Sequence, residues 1–464
     1  MNSMHLDDTI VAIATPPGRG GIGVVRLAGS EACSIAGPML RLAHELEAGR
    51  AHFGELLDPA TGERIDEVVA TFFAKPHSYT TDDVVEISCH GSPVVLRHVV
   101  EMAMNAGARL AEPGEFTMRA FLNGRIDLTQ AEAVRDLIDS QTMYQAQVAA
   151  RQLEGSLSKR LQPTKQQLIE LIAVMEAGVD FAEDDVSITP DAQILARIAA
   201  VRLPLEDLLA SFAFGKVVHE GLTLAIVGRP NVGKSSLFNC LVERERAIVT
   251  ATPGTTRDLV SETVSIGGIP VRLVDTAGIR TALDEAESIG VRKSIEALAD
   301  ADLVLVVRDA SRGTSHPLTG EEEQQDARLL ELAGERQAIV VWNKIDAAES
   351  QAVGQGRNSH PSVKVSALEG SGMDELRSSI LQSVGGDGGA QRESGLLTNI
   401  RQKQLVVESL AALERAAGAV PQRIPHEMIL LDLYAVLRPL DDITGATTAD
   451  DILNLIFSSF CIGK

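Results

Sequence analysis

Positive charge is scarce in this chain. Its 464 residues carry 64 Asp plus Glu against 42 Lys plus Arg, a formal net charge of −22. That balance argues against tight, non-specific nucleic-acid binding by the chain alone. A role on RNA needs a local basic patch or a basic partner. Cysteine is sparse as well. Cys33, Cys89, Cys240 and Cys461 are scattered, with no CxxC pair and no Cys/His cluster. This argues against a zinc site and fits a reducing cytosol. The ten histidines show no metal-ligand spacing. No apolar run approaches the ~20 residues needed to cross a bilayer. Met1 to Thr9 carries Asp7 and Asp8 but no basic stretch, which argues against a secretory signal. The expectation is a cytoplasmic protein with no membrane span.

What is present is enough hydrophobic residue, 45%, to build about three packed domains. Residues 1–122 mix α and β, with strand-like runs at Thr9–Ala14, Ile22–Leu27, Val68–Phe73 and Val84–Ser88 punctuated by Pro and Gly. From Leu128 to about Val218 apolar residues recur at helical spacing, and residues 123–219 are taken as the first part of a helical domain. Residues 220–383 form an inserted Ras-like P-loop domain. Gly385 to Gly389 reads as a flexible linker, and 384–464 returns to helix. The fold class expected is therefore multidomain, α/β plus all-α.

The most informative run is Gly228-Arg229-Pro230-Asn231-Val232-Gly233-Lys234-Ser235, directly after the apolar run Leu222 to Val227. Its glycines let successive backbone N–H groups point inward at phosphates. Asn231, Val232, Gly233, Lys234, Ser235 and Ser236 form the contact set, with Lys234 reaching the β- and γ-phosphates and Ser235 holding Mg²⁺. Asp275-Thr276-Ala277-Gly278 follows a second strand-like run; its Asp suits the Mg²⁺ shell and Gly278 lets its N–H approach the γ-phosphate. Asn343-Lys344-Ile345-Asp346 follows a third, Ala338 to Trp342. The Asp346 carboxylate accepts from N1–H and the exocyclic amine of guanine, donors that adenine lacks there. Ser366-Ala367-Leu368 completes the base-contacting set. Together these predict GTP as the nucleotide.

The chemistry departs from that of many small GTPases. Where a Gln commonly orients the attacking water, this chain has Ile279. Arg280 follows directly, and Asp284, Glu285 and Glu287 lie in the next segment. One of these carboxylates aligns water, or the acids merely open a helix whose dipole favours them; the residues alone leave both readings standing. Thr250-Ala251-Thr252-Pro253-Gly254-Thr255-Thr256 is oxygen-rich and occupies the first switch loop. Thr256 suits Mg²⁺. Carbonyls of this loop and the Asn231 amide suit a large monovalent cation set against the phosphates, with Arg257 a rival source of positive charge.

Several stretches carry a resemblance: "ATPPGRGGIGVVRLAG" (14–29), "GEFTMRAFLNGRIDLTQAEAV" (114–134), "GRPNVGKSSLFN" (228–239), "TPGTTRD" (252–258), "DTAGIR" (275–280) and the terminal "FSSFCIGK" (457–464). On these the chain resembles the MnmE (TrmE) family of tRNA-modification GTPases along essentially its whole length. The resemblance implies an N-terminal folate-binding-like domain that also dimerises. It binds a tetrahydrofolate derivative (5,10-methylene or 5-formyl) through Arg26, Glu86, Arg125 and Lys464. It implies Glu287 as the catalytic carboxylate, potassium held by Asn231, Thr250, Thr252 and Thr255, and Mg²⁺ held by Ser235 and Thr256. It gives Cys461 a part in the modification step, against the alternative of an inert thiol. The implied partners are a second copy of the chain, a MnmG (GidA)-like FAD protein that uses NADH, joined in a heterotetramer, and tRNA modified at its wobble uridine. The main alternative is a ribosome-assembly or RNA-binding GTPase switch. Such relatives usually carry a basic RNA-binding appendage, whereas the flanks here are acidic to neutral. A second alternative is a stand-alone folate-dependent methyltransferase with a regulatory GTPase.

Overall fold

A computed structural model describes residues 7–180, 190–245, 261–275, 301–311, 319–333, 337–348, 360–385 and 395–446, and near the C-terminus 453, 456, 457 and 460–463. The chain divides into two compact units, Met1–Arg135 with Leu153–Gly155 and Asp441–Lys464, and Asp136–Gln152 with Ser156–Leu440.

The first unit is built on a seven-stranded sheet. Its strands are β1 (Ile10–Ile13), β2 (Gly20–Ala28), β3 (Leu40–Leu42), β4 (Ala51–Leu57), β5 (Arg64–Phe73), β6 (Val84–Gly91) and β7 (Arg109–Leu110), in the order β3-β4-β5-β6-β2-β1-β7. All pairs are antiparallel except β1 with β7. β2 and β6 alternate buried and less buried residues, as a sheet with one packed face requires. The packed face meets helix Pro93–Asn105 through Leu96, Val99, Val100 and Ala103. The β2/β6 register sets Arg26 directly across from Glu86. Helix Glu115–Leu122 and the start of helix Leu128–Asp139 bury Met118, Leu128, Ala131 and Val134 against Leu453, Phe457 and Phe460 of the C-terminal segment. A Cβ on Gly114, which sits at φ 70°, would lie 2.6 Å from the Phe457 carbonyl oxygen, so this close approach requires glycine.

The second unit contains a six-stranded sheet: β8 (Leu222–Gly228), β9 (Ser261–Ile266), β10 (Ile269–Asp275), β11 (Leu303–Asp309), β12 (Gln337–Asn343) and β13 (Ser362–Lys364), ordered β13-β12-β11-β8-β10-β9. Only β9 runs antiparallel. β8, β11 and β12 bury residue after residue, the signature of central parallel strands covered on both faces. One face packs helices Lys234–Glu245 and Met373–Ser383 through Leu237, Phe238, Leu241, Met373, Leu376 and Ile380. The three strands expected here, at 222–227, 271–274 and 338–342, are β8, β10 and β12. β11, between β8 and β12, is a fourth apolar strand that has no recognisable motif behind it.

The same unit holds helices Ser156–Asp180, Asp191–Ala210, Ile400–Ala419 and His426–Thr444, the last extending beyond Leu440. Asp191–Ala210 buries Ile194, Ile198, Val201, Leu205 and Leu208, three or four residues apart, and packs beside Ser156–Asp180 and Ile400–Ala419. Among the described residues no helix is long and apolar enough to cross a membrane. Of the expected linker, Gly386 to Gly389 lies outside the described residues.

Candidate functional site

β8 delivers the phosphate loop. It ends at Gly228, where a Cβ would lie 2.5 Å from the Val307 carbonyl oxygen of β11. The chain then turns through Asn231, a non-glycine residue at φ 65°, and Gly233 at φ 95° before entering helix Lys234–Glu245. A helix N-terminus presents N–H groups that have no partner within the helix and a positive dipole end, where a phosphate is stabilised. Asn231, Ser235 and Ser236 are exposed, Val232 is buried in the core behind the loop, and Lys234 Nζ donates to the Arg229 carbonyl at 2.9 Å.

The base side is fastened to this loop by one residue. Asn343, almost fully buried, donates through Nδ2 to the carbonyls of Val232 (3.1 Å) and Gly233 (3.4 Å), and its Oδ1 accepts from the Ala367 amide (3.0 Å). Asn343 thus joins three of the sequence-predicted segments. Asp346 is exposed; one of its oxygens accepts from Ser366 Oγ at 2.5 Å, and Ser366 Oγ in turn accepts from the Glu369 amide at 3.1 Å. The carboxylate is thereby oriented at the surface, where it can accept hydrogen bonds from a ligand. Lys344, at φ 66°, donates from Nζ to the Asn231 carbonyl and to Asp309 Oδ2, both at 2.7 Å.

Two supporting residues were missed from the sequence. Asp309 closes β11. Burial alone raises its carboxyl, yet hydrogen bonds from Lys344 and Ser311 hold it below the usual carboxylate range. Arg229, inside the loop motif, is buried and pairs with Asp326 (2.8 Å) and Glu322 (2.6 Å) of helix Gly320–Ala333. The signal for Asp309 was the acid just past the five-residue apolar run Leu303 to Val307; nothing local marked Arg229.

In the first unit the structure brings Arg26, Glu86 and Arg125 together. Arg26 donates through Nε to Glu86 at 2.8 Å and reaches the Gly463 carbonyl at 3.5 Å. Its guanidinium lies 5.6 Å from the ring centres of both Tyr79 and Phe116. Arg125 donates to the Tyr79 carbonyl at 2.8 Å and stands 5.0 Å from the same ring. Tyr79, whose hydroxyl is 2.9 Å from Thr117 Oγ1, is the aromatic centre that the sequence reading lacked. In this structure the Arg26 and Glu86 charges pair with each other. Two cations, one carboxylate and an aromatic face suit a ligand with both carboxylates and a flat ring. Cys461 is exposed, and its carbonyl accepts from the Gly114 amide at 3.3 Å.

The remaining predicted residues lie outside the described residues: Thr250, Ala251, Thr252, Pro253, Gly254, Thr255, Thr256, Thr276, Ala277, Gly278, Arg280, Glu287 and Lys464. Asp275 is described in its backbone only, as the last residue of β10.

Comparison with known proteins now bears on these two sites. Residues 9–125 match the family model described as the GTP-binding protein TrmE N-terminus, and residues 128–461 match the one described as the MnmE helical domain. A "tRNA modification GTPase MnmE" of Koribacter versatilis (strain Ellin345) is 70% identical over 99% of this chain and all of its own length. Its namesake in Aquifex aeolicus (strain VF5) is 44% identical over 98% of this chain and all of its own. Among solved structures, the G domain of the T. maritima FeoB iron transporter is 28% identical, covering 35% of this chain and 98% of its own, with a TM-score of 0.26. With family models covering both the N-terminal and the helical regions and relatives aligned end to end, this chain belongs to the MnmE family.

Proposed function

We propose that this chain is a potassium-dependent GTP hydrolase serving tRNA modification. With a MnmG (GidA)-like flavoprotein that carries FAD and uses NADH, it places a carboxymethylaminomethyl or aminomethyl group on carbon 5 of the wobble uridine of certain tRNAs. The relatives' shared name supports the tRNA-modification GTPase. The observation that carries the nucleotide site is Asn343, whose amide ties the phosphate loop to the Ala367 loop while Asp346 stands exposed beside it. The proposed division is an N-terminal folate and dimerisation domain (1–122), a helical domain in two parts (123–219 and 384–464) and a G domain (220–383), working in the cytoplasm as a homodimer and in a heterotetramer with the flavoprotein.

The residues divide the work as follows. Backbone N–H groups from Asn231 to Ser236 cradle the phosphates, and Lys234 moves from the Arg229 carbonyl to the β- and γ-phosphate oxygens. Asp346 selects guanine. Glu287 orients the attacking water in place of the usual Gln, with Arg280 beside it. Ser235, exposed at the helix start, and Thr256 would hold Mg²⁺, which would neutralise phosphate charge. Asn231, exposed and turned by its left-handed backbone, fits a potassium ligand together with Thr250, Thr252 and Thr255. That cation would supply positive charge where charge develops in the transition state. In the first unit Arg26, Arg125 and Lys464 suit the glutamate carboxylates of a tetrahydrofolate, the source of the one-carbon unit, and Glu86 accepts from pterin N–H groups. Cys461 stands exposed on the same tail as Gly463, which contacts Arg26, and is proposed to take part in the modification step.

The test is GTP hydrolysis by the full chain in potassium against sodium at equal ionic strength, with Glu287→Ala alongside. Stimulation by potassium, lost in Glu287→Ala while nucleotide still binds, supports the reading. Equal rates in both salts reject the cation site.

A further inference from the structure

Asn231 and Lys344 are two of only four non-glycine residues with positive φ among the described residues, and they are joined to each other. Lys344 Nζ donates to the Asn231 carbonyl at 2.7 Å and to Asp309 Oδ2 at 2.7 Å. Left-handed backbone is tolerated by Asn but disfavours Lys, so Lys344 in particular is held by its contacts. Asn231 lies in the proposed phosphate loop, whereas Lys344 sits in the proposed guanine segment.

Asp309 is the fixed end of this chain of contacts. Its side chain is only 9% exposed, its Oδ1 accepts from the Ser311 amide (3.0 Å) and hydroxyl (2.5 Å), and the following residue, Ala310, donates its amide to the Asn343 carbonyl (2.7 Å). A carboxylate held by the two Ser311 donors leaves the Lys344 ammonium little choice of position. The ammonium in turn fixes the direction of the Asn231 peptide, and so the aim of the Asn231 amide.

We propose that Asp309 is a positioning residue that couples the two halves of the nucleotide site. Acting through Lys344, it sets the backbone of Asn231, so that occupation of the guanine segment presents the Asn231 amide for the cation and the phosphates. Asp309 touches neither nucleotide nor cation. The inference deepens the potassium-dependent reading and rests on it for one of its two readouts.

The test uses the full-length chain with Asp309→Asn, and with Ser311→Ala as a milder variant that keeps the carboxylate but loosens it. Three quantities are read: affinity for a fluorescent GDP analogue, the potassium concentration giving half-maximal GTP hydrolysis, and the Mg²⁺ concentration giving the same. Asp309→Asn should weaken GDP about tenfold, as loss of a charged hydrogen bond implies. It should raise the potassium requirement several-fold and leave the Mg²⁺ requirement alone. Ser311→Ala should shift the first two in the same direction by less. A general structural defect would move the Mg²⁺ requirement equally, and that result overturns the proposal. So does wild-type GDP affinity in a folded Asp309→Asn chain. If Asp309→Asn does not fold, Ser311→Ala decides: no shift overturns the coupling. If the wild type shows no potassium stimulation, the cation reading fails by itself, and GDP affinity still decides the role of Asp309.

Discussion

Arg229 and Asp326 form a buried ion pair, 2.8 Å from Nε to Oδ1 with side chains 7% and 6% exposed, that fastens the phosphate loop to helix Gly320–Ala333. Glu322 adds a second carboxylate to the same guanidinium and also accepts from the Thr319 amide at 2.9 Å, while the Glu322 amide donates to Thr319 Oγ1 at 3.3 Å, so the helix start and the loop share one residue. Removing one partner of such a pair strands a charge away from water. Asp326→Ala should therefore destabilise the second unit by about 3 kcal/mol, the low end for a broken buried pair because Glu322 remains. Arg229→Met with Asp326→Leu should recover most of that loss. Urea denaturation of the wild type and the two variants decides it; a single variant as stable as wild type would show the pair to be solvated.

Gly233 sets the closest tolerance in the nucleotide site. A Cβ there would lie 2.2 Å from Asn343 Nδ2, and φ is 95°. Gly233→Ala should force Asn343 off its hydrogen bonds to Val232 and Gly233 and so part the loop from the base segment. The expected outcome is a loss of GDP affinity of at least about a hundredfold by fluorescence titration, from two or more buried hydrogen bonds at about 1–3 kcal/mol each. Retained affinity would mean that the loop shifts as a body.

Asp346→Asn should exchange the base preference. An amide donates where the carboxylate only accepts, so it mismatches the exocyclic amine of guanine but meets the 2-carbonyl of xanthine. Competition binding should show GTP weakened about a hundredfold and XTP gained. Ser366→Ala, which removes the 2.5 Å contact to Asp346, should weaken GTP by less and gain no XTP.

The fold was legible where physics is local. β8, β10 and β12 announce themselves as apolar runs ended by motifs. β11 is equally apolar but carries no motif, and so Asp309 escaped notice. Arg229 stands in the loop pattern at a position where any residue fits; its importance comes from Asp326, 97 residues along the chain. Arg26 and Glu86, 60 residues apart, meet because of the β2/β6 register, which no short window encodes. Their grouping with Arg125 came from family resemblance, and Tyr79 and Phe116, which frame them, did not.

The first unit should lose stability in acid. Asp8, Arg109, Glu115 and Arg119 form an ion cluster in which Glu115 and Arg119 are almost wholly buried. Burial pushes the carboxyls of Glu115 and Asp8 up, but hydrogen bonds from Arg109 and Arg119 outweigh it and hold both below their ordinary values of 4.5 and 3.8. A carboxyl with a depressed folded-state value contributes stability that is fully present above its unfolded value. That stability is lost as pH falls through the folded one. Melting temperature should thus be flat from pH 7 to about 5.5 and fall below about 5. Glu115→Gln should start lower at pH 7 and fall less steeply. A parallel decline in the two chains would place the acid sensitivity elsewhere.

Thiol reactivity should separate Cys461 from Cys89. Cys89 lies in the sheet at 3% exposure, and burial, with the Asp66 carboxylate nearby, pushes its thiol up to about 12. At pH 8 only about one molecule in ten thousand would carry that thiolate, the reactive form. Cys461 is exposed. Iodoacetamide followed by peptide mass spectrometry should find Cys461 modified in the native chain and Cys89 only after denaturant. Equal labelling would show that β6 opens readily. The same chemistry bears on the modification step. Blocking Cys461, or replacing it by Ser, should abolish tRNA modification with GTP hydrolysis intact if the thiol acts there; full modification by Cys461→Ser would remove it from the mechanism.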